Sequence, residues 1–331
     1  MTTTSAGSAN GEVRLGTRAS RLAMAQSRAI AEQLATGGTE PVRLVEVTTR
    51  GDLDPGPLSV IGGAGVFVSA LRAALLAGEV DVCVHSLKDL PTDPTDGIEL
   101  AAVPVRADAR DALVARDELT LGELPPGSTV GTGSPRRAAQ LNALGLGLVV
   151  VDLRGNVDTR LGRVRDGSLD AVVVARAGLA RLGRLDEVTE VLDPLQMLPA
   201  PGQGALAVEC RAGDPLAVSL ASLLDDPSTR TAVRAERAFL AGVGAGCTAP
   251  VGALAEQVSV DPDAGDSDAD ETDELWLRAT VVDPTGYPHL RASTTGSPLE
   301  PEQLGLALAT EMLSDGADEL IAAVVGAGAK P

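Results

Sequence analysis

The feature that most constrains the fold is an alternation along the chain, in which short runs of β-branched residues are separated by segments with helical periodicity. The predicted strands are residues 13–17, 42–49, 80–86, 111–116, 129–133, 148–153 and 171–175. Strands that alternate with helices are typical of βαβ units, whose strands run parallel. The sequence therefore predicts an α/β fold with parallel sheets up to about residue 227.

The pattern changes after that point. A predicted helix over residues 228–241 is followed by apparent strands at 251–256, 275–282 and 290–295, and by a helical tail from Pro301. We expect a separate, smaller α+β domain here. Within the earlier part, Pro104 and the stretch MLPAPGQG (197–204) are the predicted linkers, because proline and glycine interrupt regular structure.

Composition excludes several classes of protein. The chain of 331 residues has a formal net charge of −19 and few aromatic residues, so it repels nucleic acid and offers few stacking platforms. It contains no apolar run of the roughly 18 residues that a membrane span needs, and its start lacks an export signal. Three cysteines without paired spacing argue against a disulfide framework and a zinc site. We expect a cytoplasmic protein without nucleic-acid, membrane or metal partners.

Arginines stand at the start of a predicted helix, where a cation is out of place. In GTGSPRRAAQL, Ser134 is the predicted cap and Pro135 the first helical residue. Arg136 and Arg137 then fall in the first turn, where the positive end of the helix dipole repels them. We therefore expect something anionic beside this pair.

The same arrangement occurs twice more. Arg18 precedes a predicted Ser20 cap. Arg154 precedes a predicted Asn156 cap, and Arg160 lies in the helix that follows. In open α/β sheets such junctions lie at the carboxyl ends of strands, where ligands bind, and arginine offers a bidentate fork for carboxylate or phosphate. The alternative is that each arginine pairs with a surface carboxylate.

Another unusual stretch is VDVCVHSLKDLPT, in which an apolar strand leads directly into Lys88 and Asp89. A carboxylate at the end of a strand can hold N–H donors and stabilise a developing cation. The alternative is an aspartate that caps a turn. His85 lies within the strand and is predicted to be a packed or edge histidine.

The three cysteines differ in context. Cys83 and Cys210 lie in apolar strands and are predicted to be small core residues. Cys247 follows a helix in the glycine-rich stretch AGVGAGCTAP, where a thiol can be exposed and little obstructs a bulky group. A purely structural turn is the alternative.

Eight segments together resemble one family, the porphobilinogen deaminases, also called hydroxymethylbilane synthases. They occur in the family's order over about residues 13–255 and read RLGTRASRLAMAQ, VTTRGD, GVFVSALRAALLAGEVDVCVHSLKDLPT, GTGSPRRAAQL, LRGNVDTRL, ARAGLARLG, PAPGQGALAVECR and ERAFLAGVGAGCTAPVG. The resemblance implies two α/β lobes similar to those of periplasmic binding proteins and a smaller α+β C-terminal domain. The lobes would comprise residues 12–104 with 205–222, and 105–200, and the third domain residues 223–331.

The resemblance also implies a transferase of tetrapyrrole (haem) biosynthesis that acts as a monomer. Such an enzyme joins four porphobilinogen molecules head to tail into the linear hydroxymethylbilane and releases ammonia at each step. The chain grows on a dipyrromethane cofactor, which Cys247 would hold through a thioether. Asp89 would be the catalytic residue that stabilises the cation left when ammonia departs. The family needs no metal.

Further site residues follow by match to the family. Those implied to bind the cofactor are Lys88, Ser134, Arg136, Arg137 and Arg160. Those implied to bind the substrate are Arg18, Ser20, Thr132, Arg154 and Arg181. Each pyrrole carries an acetate and a propionate, so several arginines match the carboxylates of the growing chain.

Two segments depart from the family's pattern, and two other function classes stay open. Residues 51–67 contain no lysine or arginine, although related proteins often carry lysines there, and the acidic run 261–274 lies outside the usual pattern. A non-catalytic anion-binding protein with two lobes would need the arginines but neither Cys247 nor the Lys88 and Asp89 pair. A phosphosugar or nucleotide transferase would need a phosphate loop, which the sequence lacks.

Overall fold

The computed structural model describes residues 12–38, 41–48, 68–246, 249–260 and 272–327. The chain divides into two units: the first comprises Met1–Arg106 and Ala205–Pro227, and the second Ala107–Gly204 and Ser228–Pro331. The chain thus leaves the first unit, returns to it, and then enters the second again. No described helix has the length and apolar character needed to span a membrane.

The elements follow one another in an alternating order up to the return into the first unit. They are β1 (Val13–Thr17), α1 (Arg21–Thr36), β2 (Val42–Glu46), α2 (Ser69–Leu76), β3 (Val82–Ser86), β4 (Ile98–Ala102), β5 (Asp111–Ala115), β6 (Thr129–Thr132), α3 (Pro135–Ala143), β7 (Val149–Asp152), α4 (Val157–Arg165), β8 (Ala171–Ala175), α5 (Arg176–Arg181) and β9 (Glu190–Val191). After these come β10 (Leu206–Arg211), α6 (Leu216–Leu224), α7 (Pro227–Gly242), β11 (Val251–Val260), β12 (Thr272–Val282), β13 (His289–Gly296), α8 (Pro301–Ser314) and α9 (Ala317–Ala327).

The first unit is built on a five-stranded sheet with the order β2-β1-β3-β10-β4. The strands β1, β2 and β3 run parallel, whereas β10 runs antiparallel to both β3 and β4. Apolar side chains on both faces are buried, among them Leu15 on β1 and Cys83 on β3. Helices thus cover both faces of the sheet, as an α/β fold requires.

The second unit contains a similar sheet with the order β7-β6-β8-β5-β9. Here β6 runs parallel to β7 and β8, whereas β5 runs antiparallel to β8 and β9. The α/β class is confirmed, but the prediction of parallel sheets is wrong for β5 and β10. Both strands follow a segment that connects the two units, so no crossover helix dictates a parallel direction. The short β9 and β4 were not predicted.

The C-terminal part of the second unit is an antiparallel three-stranded sheet, β11-β12-β13, packed against helices α7, α8 and α9. Its core contains Phe239 on α7, Leu277 on β12 and Met312 on α8. The predicted α+β character of this part is confirmed. Its buried apolar residues form a cluster of their own, between positions 232 and 320.

Three predicted helix starts are confirmed. The side chains of Ser20, Ser134 and Asn156 each accept a hydrogen bond from the backbone N–H three residues further on, at 3.2, 3.5 and 2.9 Å. Each cap satisfies one of the N–H groups that a helix start leaves unpaired. The arginines near these caps are therefore placed where the sequence predicts them.

Gly204 lies in the segment that leads back into the first unit, and its surroundings leave no room for a side chain. Its φ is +90°, and a Cβ atom there would stand 2.3 Å from the Ala107 carbonyl oxygen. Gly204→Ala should cost about 2 to 5 kcal/mol in the free energy of unfolding, since left-handed strain adds to overpacking. Gly183→Ala, with φ +67° and no atom within 4 Å, should cost only about 1 to 2 kcal/mol. Thermal unfolding tests this, and equal losses would contradict it.

Candidate active site

Most of the predicted ligand-binding residues of the second unit lie at one edge of its sheet. Because β6, β7 and β8 are parallel, their carboxyl ends meet there. Thr132 ends β6, and the arginine pair begins α3 directly after it. Arg154 and Arg160 follow β7, and Arg181 ends the helix after β8. We call this group of side chains the second-unit edge.

An internal carboxylate lies at the same edge. Because β5 runs antiparallel to β8, its first residue, Asp111, pairs with Ala175 at the carboxyl end of β8. The Asp111 side chain is fully buried, and its two oxygens accept hydrogen bonds from both arginines of the pair. Arg136 Nη2 donates at 2.7 Å, and Arg137 donates through Nε at 3.1 Å and Nη2 at 2.7 Å.

The sequence analysis expected an anion beside Arg136 and Arg137, and one such anion is Asp111 itself. Both arginine side chains are buried and bonded to the protein. A binding role toward the cofactor stays a prediction. The signal for Asp111 was present in the sequence, as a charged residue that opens the apolar strand DALVA.

Further hydrogen bonds fix both guanidinium groups. Arg136 Nη1 donates to the Leu198 carbonyl at 2.5 Å, and Arg137 Nη1 donates to a carbonyl of β8 at 3.1 Å. Gln203 Nε2 donates to Asp111 Oδ1 at 2.7 Å, and its Oε1 accepts from Arg137 Nη2 at 3.4 Å. Gln203 belongs to the predicted linker and was also missed by the sequence analysis. No described residue accepts a hydrogen bond from the buried Arg136 Nε.

The second-unit edge has an excess of positive charge. Burial acts to raise the pKa of Asp111, but the guanidiniums of Arg136 and Arg137 hold that pKa well below its usual range. Burial lowers the pKa of Arg136. Burial and the charge of Arg137 lower the pKa of Arg160 to about 10, and burial lowers the pKa of Arg181 to about 10. With pKa values of about 10, Arg160 and Arg181 stay charged at neutral pH. An anionic ligand would relieve the repulsion that Arg160 experiences from Arg137 and Arg154.

Two arginines of this edge also contact backbone carbonyls. Arg160 is half-buried, and its Nε donates to the Gly155 carbonyl at 2.9 Å. Arg181 is half-buried as well, and its Nη2 donates to the Gly204 carbonyl at 2.6 Å. Each guanidinium has five N–H donors, so these contacts leave donors for a carboxylate. Thr132 is buried, and its hydroxyl accepts a hydrogen bond from the Ser134 N–H at 3.2 Å.

The predicted residues of the first unit also lie at one sheet edge. Because β1 and β3 are parallel neighbours, the residues that follow them are close in space. Arg18 and Ser20 follow β1, and a short 3-10 turn after β3 carries Lys88 and Asp89. All four side chains are half-buried. We call this group the first-unit edge.

Asp89 is half-buried in the short 3-10 turn after β3. The turn that carries it is closed by a hydrogen bond from the Leu90 N–H to the Leu87 carbonyl at 3.1 Å. The turn-cap alternative requires a backbone N–H that donates to the Asp89 carboxylate, and among the described residues none does. The structure therefore gives the turn-cap alternative no support within the described residues, and the catalytic role of Asp89 stays a prediction.

His85 is packed, as predicted. It is buried on β3, with Nε2 3.2 Å from Oε2 of Glu209 on β10. Arg72 donates two hydrogen bonds to the same carboxylate, from Nε at 3.0 Å and from Nη2 at 2.7 Å. Burial acts to raise the pKa of Glu209, but His85 and Arg72 hold it at about 2.

Two of the three cysteines belong to the core. Cys83 and Cys210 are fully buried, which confirms their prediction as small core residues. Burial raises the pKa of the Cys210 thiol to about 12 and raises that of Cys83 even further above its usual range. Both thiols therefore stay protonated at neutral pH and react poorly as nucleophiles.

Cys247 lies outside the described residues, but the structure describes how the chain approaches it. Helix α7 ends at Gly242, and Gly244 adopts a left-handed conformation with φ +65°. The Gly244 N–H donates to the Ala241 carbonyl at 2.9 Å, and the Ala245 N–H to the Leu240 carbonyl at 3.1 Å. This is a Schellman ending, which fixes the direction of the chain two residues before the cysteine.

Residues 51–67 and most of the acidic run 261–274 likewise lie outside the described residues. In the described part of the chain, no group of three His, Cys, Asp or Glu side chains could hold a metal ion.

Fold and site together define a class: an α/β protein with an additional α+β part, in which arginines lie at the carboxyl edges of the two parallel-stranded sheets. Residues 13–219 match the family model for the porphobilinogen deaminase dipyrromethane-cofactor-binding domain, and residues 230–314 match that for the porphobilinogen deaminase C-terminal domain. The chain belongs to the porphobilinogen deaminase family.

Curated relatives are similar over nearly the whole chain. The porphobilinogen deaminase of Mycobacterium bovis is 56% identical over 309 residues, which cover 93% of this chain and 98% of that protein. The enzyme of Mycobacterium avium is 55% identical and covers 93% and 96%. The family assignment confirms the predicted activity: this is a transferase of tetrapyrrole biosynthesis that polymerises porphobilinogen with loss of ammonia on a dipyrromethane cofactor.

Solved structures of other proteins are similar at low identity. A periplasmic substrate-binding protein of an ABC transporter from Coxiella burnetii aligns with a TM-score of 0.42 and 16% identity, over 66% of this chain and 94% of that one. Immunogenic lipoprotein A from Vibrio vulnificus aligns with a TM-score of 0.41 and 11% identity, over 66% and 97%.

Proposed function

We propose that the second-unit edge binds carboxylates of the dipyrromethane cofactor and of the growing chain. The observation that carries this proposal is the excess of positive charge at that edge, where the arginines outnumber the carboxylates that act on them. Each porphobilinogen adds an acetate and a propionate. A cluster of buried and half-buried guanidiniums binds such groups through charge-assisted hydrogen bonds, each of about 1.5 to 3 kcal/mol.

The side chains present fit the dipyrromethane group. Its carboxylates match the donor chemistry of Arg136, Arg137 and Arg160, and the buried Arg136 Nε has no acceptor among the described residues. The bound group supplies the pyrrole ring to which the first substrate is joined. Cys247 holds the group covalently, while Lys88 and the Ser134 hydroxyl bind its polar atoms.

Arg18, Ser20, Thr132, Arg154 and Arg181 bind the incoming substrate in this proposal. Arg18 and Ser20 stand at a strand end with backbone N–H groups close by, which suits a carboxylate. Their task is to orient porphobilinogen, so that the carbon atom that attacks and the aminomethyl group that leaves are held in place.

Asp89 is the catalytic residue in this proposal. When the C–N bond of the protonated aminomethyl group breaks, ammonia leaves with the bonding electron pair, and positive charge spreads over the pyrrole ring and its N–H. A half-buried carboxylate beside that N–H stabilises the charge more strongly in the transition state than in the bound substrate. After the next C–C bond forms, the attacking carbon loses a proton, and the same carboxylate can accept it.

We also propose three domains with the boundaries predicted from the sequence, and a monomer that works in the cytoplasm without nucleic-acid or membrane partners. The separate cores of the two sheets and of the C-terminal part support the domain proposal. The net charge of −19 supports the exclusion of nucleic acid.

The role of Asp89 can be tested by substitution. Asp89→Ala should fold, keep the cofactor when this is supplied preassembled, and lose at least about a hundredfold in kcat, because the lost interaction acts on the developing cation. Asp93→Ala removes an exposed carboxylate four residues away and is the matched control. Steady-state kinetics of both variants decide the question. A kcat for Asp89→Ala close to that of Asp93→Ala would overturn the assignment.

The attachment site can be tested by intact mass. Cys247→Ser should give a soluble protein with the bare sequence mass and no product, because a hydroxyl does not form the thioether. Cys83→Ser and Cys210→Ser are the controls, and both should keep the extra mass of the dipyrrole after denaturation. Proteolysis then maps the adduct. An adduct on a peptide without Cys247, or an active protein without any adduct, would contradict the proposal.

A further inference from the structure

Asp111 is a buried charged side chain to which neither the family match nor the sequence analysis gives a role. It lies at the first position of β5, with none of its surface exposed. Its two oxygens are divided between two guanidiniums: Oδ2 accepts from Arg136, and Oδ1 accepts from Arg137. The arrangement is a buried triad of one carboxylate and two arginines.

The carboxylate of Asp111 offsets the repulsion between the two adjacent arginines. Arg136 and Arg137 are adjacent in the first turn of α3, so both like charges and the helix dipole drive the guanidiniums apart and toward water. Asp111 holds both at 2.7 Å. Each guanidinium also donates to a backbone carbonyl, so its rotamer is fixed from two sides.

The triad has a net positive charge, which an anionic ligand can use. One carboxylate against two guanidiniums leaves an excess positive charge, and Arg160 nearby adds to it. A second internal carboxylate would have neutralised the pair and left nothing for a ligand. A triad of this composition holds two cations in place and keeps them attractive to an anion.

We propose that Asp111 is a positioning residue of this enzyme: it orients Arg136 and Arg137 so that their remaining donors meet the carboxylates of cofactor and chain. The inference rests on the proposed function of the second-unit edge. Gln203 supports the arrangement, because it donates to Asp111 Oδ1 and accepts from Arg137.

The first unit offers a matched control. Asp81 is 5% exposed and also bridges two arginines, Arg14 at 2.7 Å and Arg211 at 3.2 Å. Asp81 precedes β3, however, whereas Lys88 and Asp89 follow it, so this second triad lies at the opposite edge of its sheet. Both groups place a buried carboxylate between two arginines. In the Asp81 group, however, both arginines contact Oδ1, and Arg211 also pairs with Asp214 at 2.9 Å. The control thus shares the buried carboxylate but lies away from the edge that carries Lys88 and Asp89.

The experiment compares Asp111→Asn with Asp81→Asn. An amide keeps one acceptor oxygen but presents an NH2 group to a guanidinium, so each variant loses at least one contact between carboxylate and guanidinium. In Asp111→Asn, this leaves one of the two arginines without its acidic partner. Both variants should lose thermal stability. Only Asp111→Asn should also show at least a tenfold higher KM for porphobilinogen and a smaller fraction of protein that carries the dipyrrole by intact mass. Unchanged KM and adduct fraction in Asp111→Asn would overturn the inference.

Asp111→Glu keeps the proposal testable if Asp111→Asn fails to fold. This variant preserves the charge that compensates the two arginines but shifts the carboxylate by one methylene. It should fold and show a several-fold higher KM than the parent, and a parental KM would overturn the positioning role.

Arg160→Leu separates this inference from the function on which it rests. Asp111 makes no hydrogen bond to Arg160, so the variant tests carboxylate binding at the edge by itself. If Arg160→Leu raises KM and Asp111→Asn does not, the positioning role alone is wrong. If neither variant changes KM or adduct fraction, the proposal that the second-unit edge binds carboxylates is wrong, and the positioning role of Asp111 is then wrong as well.

Discussion

The interaction on which the site depends is the buried ion triad of Asp111, Arg136 and Arg137. Removal of three charges from water is costly, and it is favourable only when geometry and further hydrogen bonds compensate. Here the carboxylate meets both guanidiniums at 2.7 Å, and backbone carbonyls accept from both. The triad joins β5, the start of α3 and the segment that leads back to the first unit. Arginines that would otherwise turn to water are thereby fixed at the carboxyl edge of the sheet.

Sheet topology brings the members of each edge together. Parallel β6, β7 and β8 end at the same side of the second sheet, and the antiparallel β5 begins there. In the first unit, β1 and β3 end side by side, and the start of β10 lies beside the end of β3, since Leu206 pairs with Ser86. Both antiparallel strands thus have their first residues at the edges where the candidate ligand-binding residues lie.

Much of this could be predicted from the sequence, because the signals are local. The caps at Ser20 and Ser134, the strand before Lys88 and the arginines in first helical turns are all encoded within a few residues. Asp111 could not be predicted as the counterion, because it lies 25 residues before Arg136 and reaches it only through an antiparallel strand. The return of the chain to the first unit as β10 could not be predicted from residue patterns either, because β10 pairs with a strand far away in the sequence. The roles of Asp89 and Cys247 came from family resemblance, since a strand end or a glycine-rich loop alone is also compatible with a structural turn.

The central claim is that arginines at the two sheet edges recognise the carboxylates of the substrate. It is tested most directly by equilibrium binding of porphobilinogen and of its dimethyl ester to the Asp89→Ala variant loaded with cofactor. Two lost charge-assisted contacts of about 1.5 to 3 kcal/mol each predict that the ester binds at least about a hundredfold more weakly. Its binding should also depend less on salt, because the neutral ester has no charge to screen. Equal affinities for the acid and the ester, with equal salt dependence, would contradict the account.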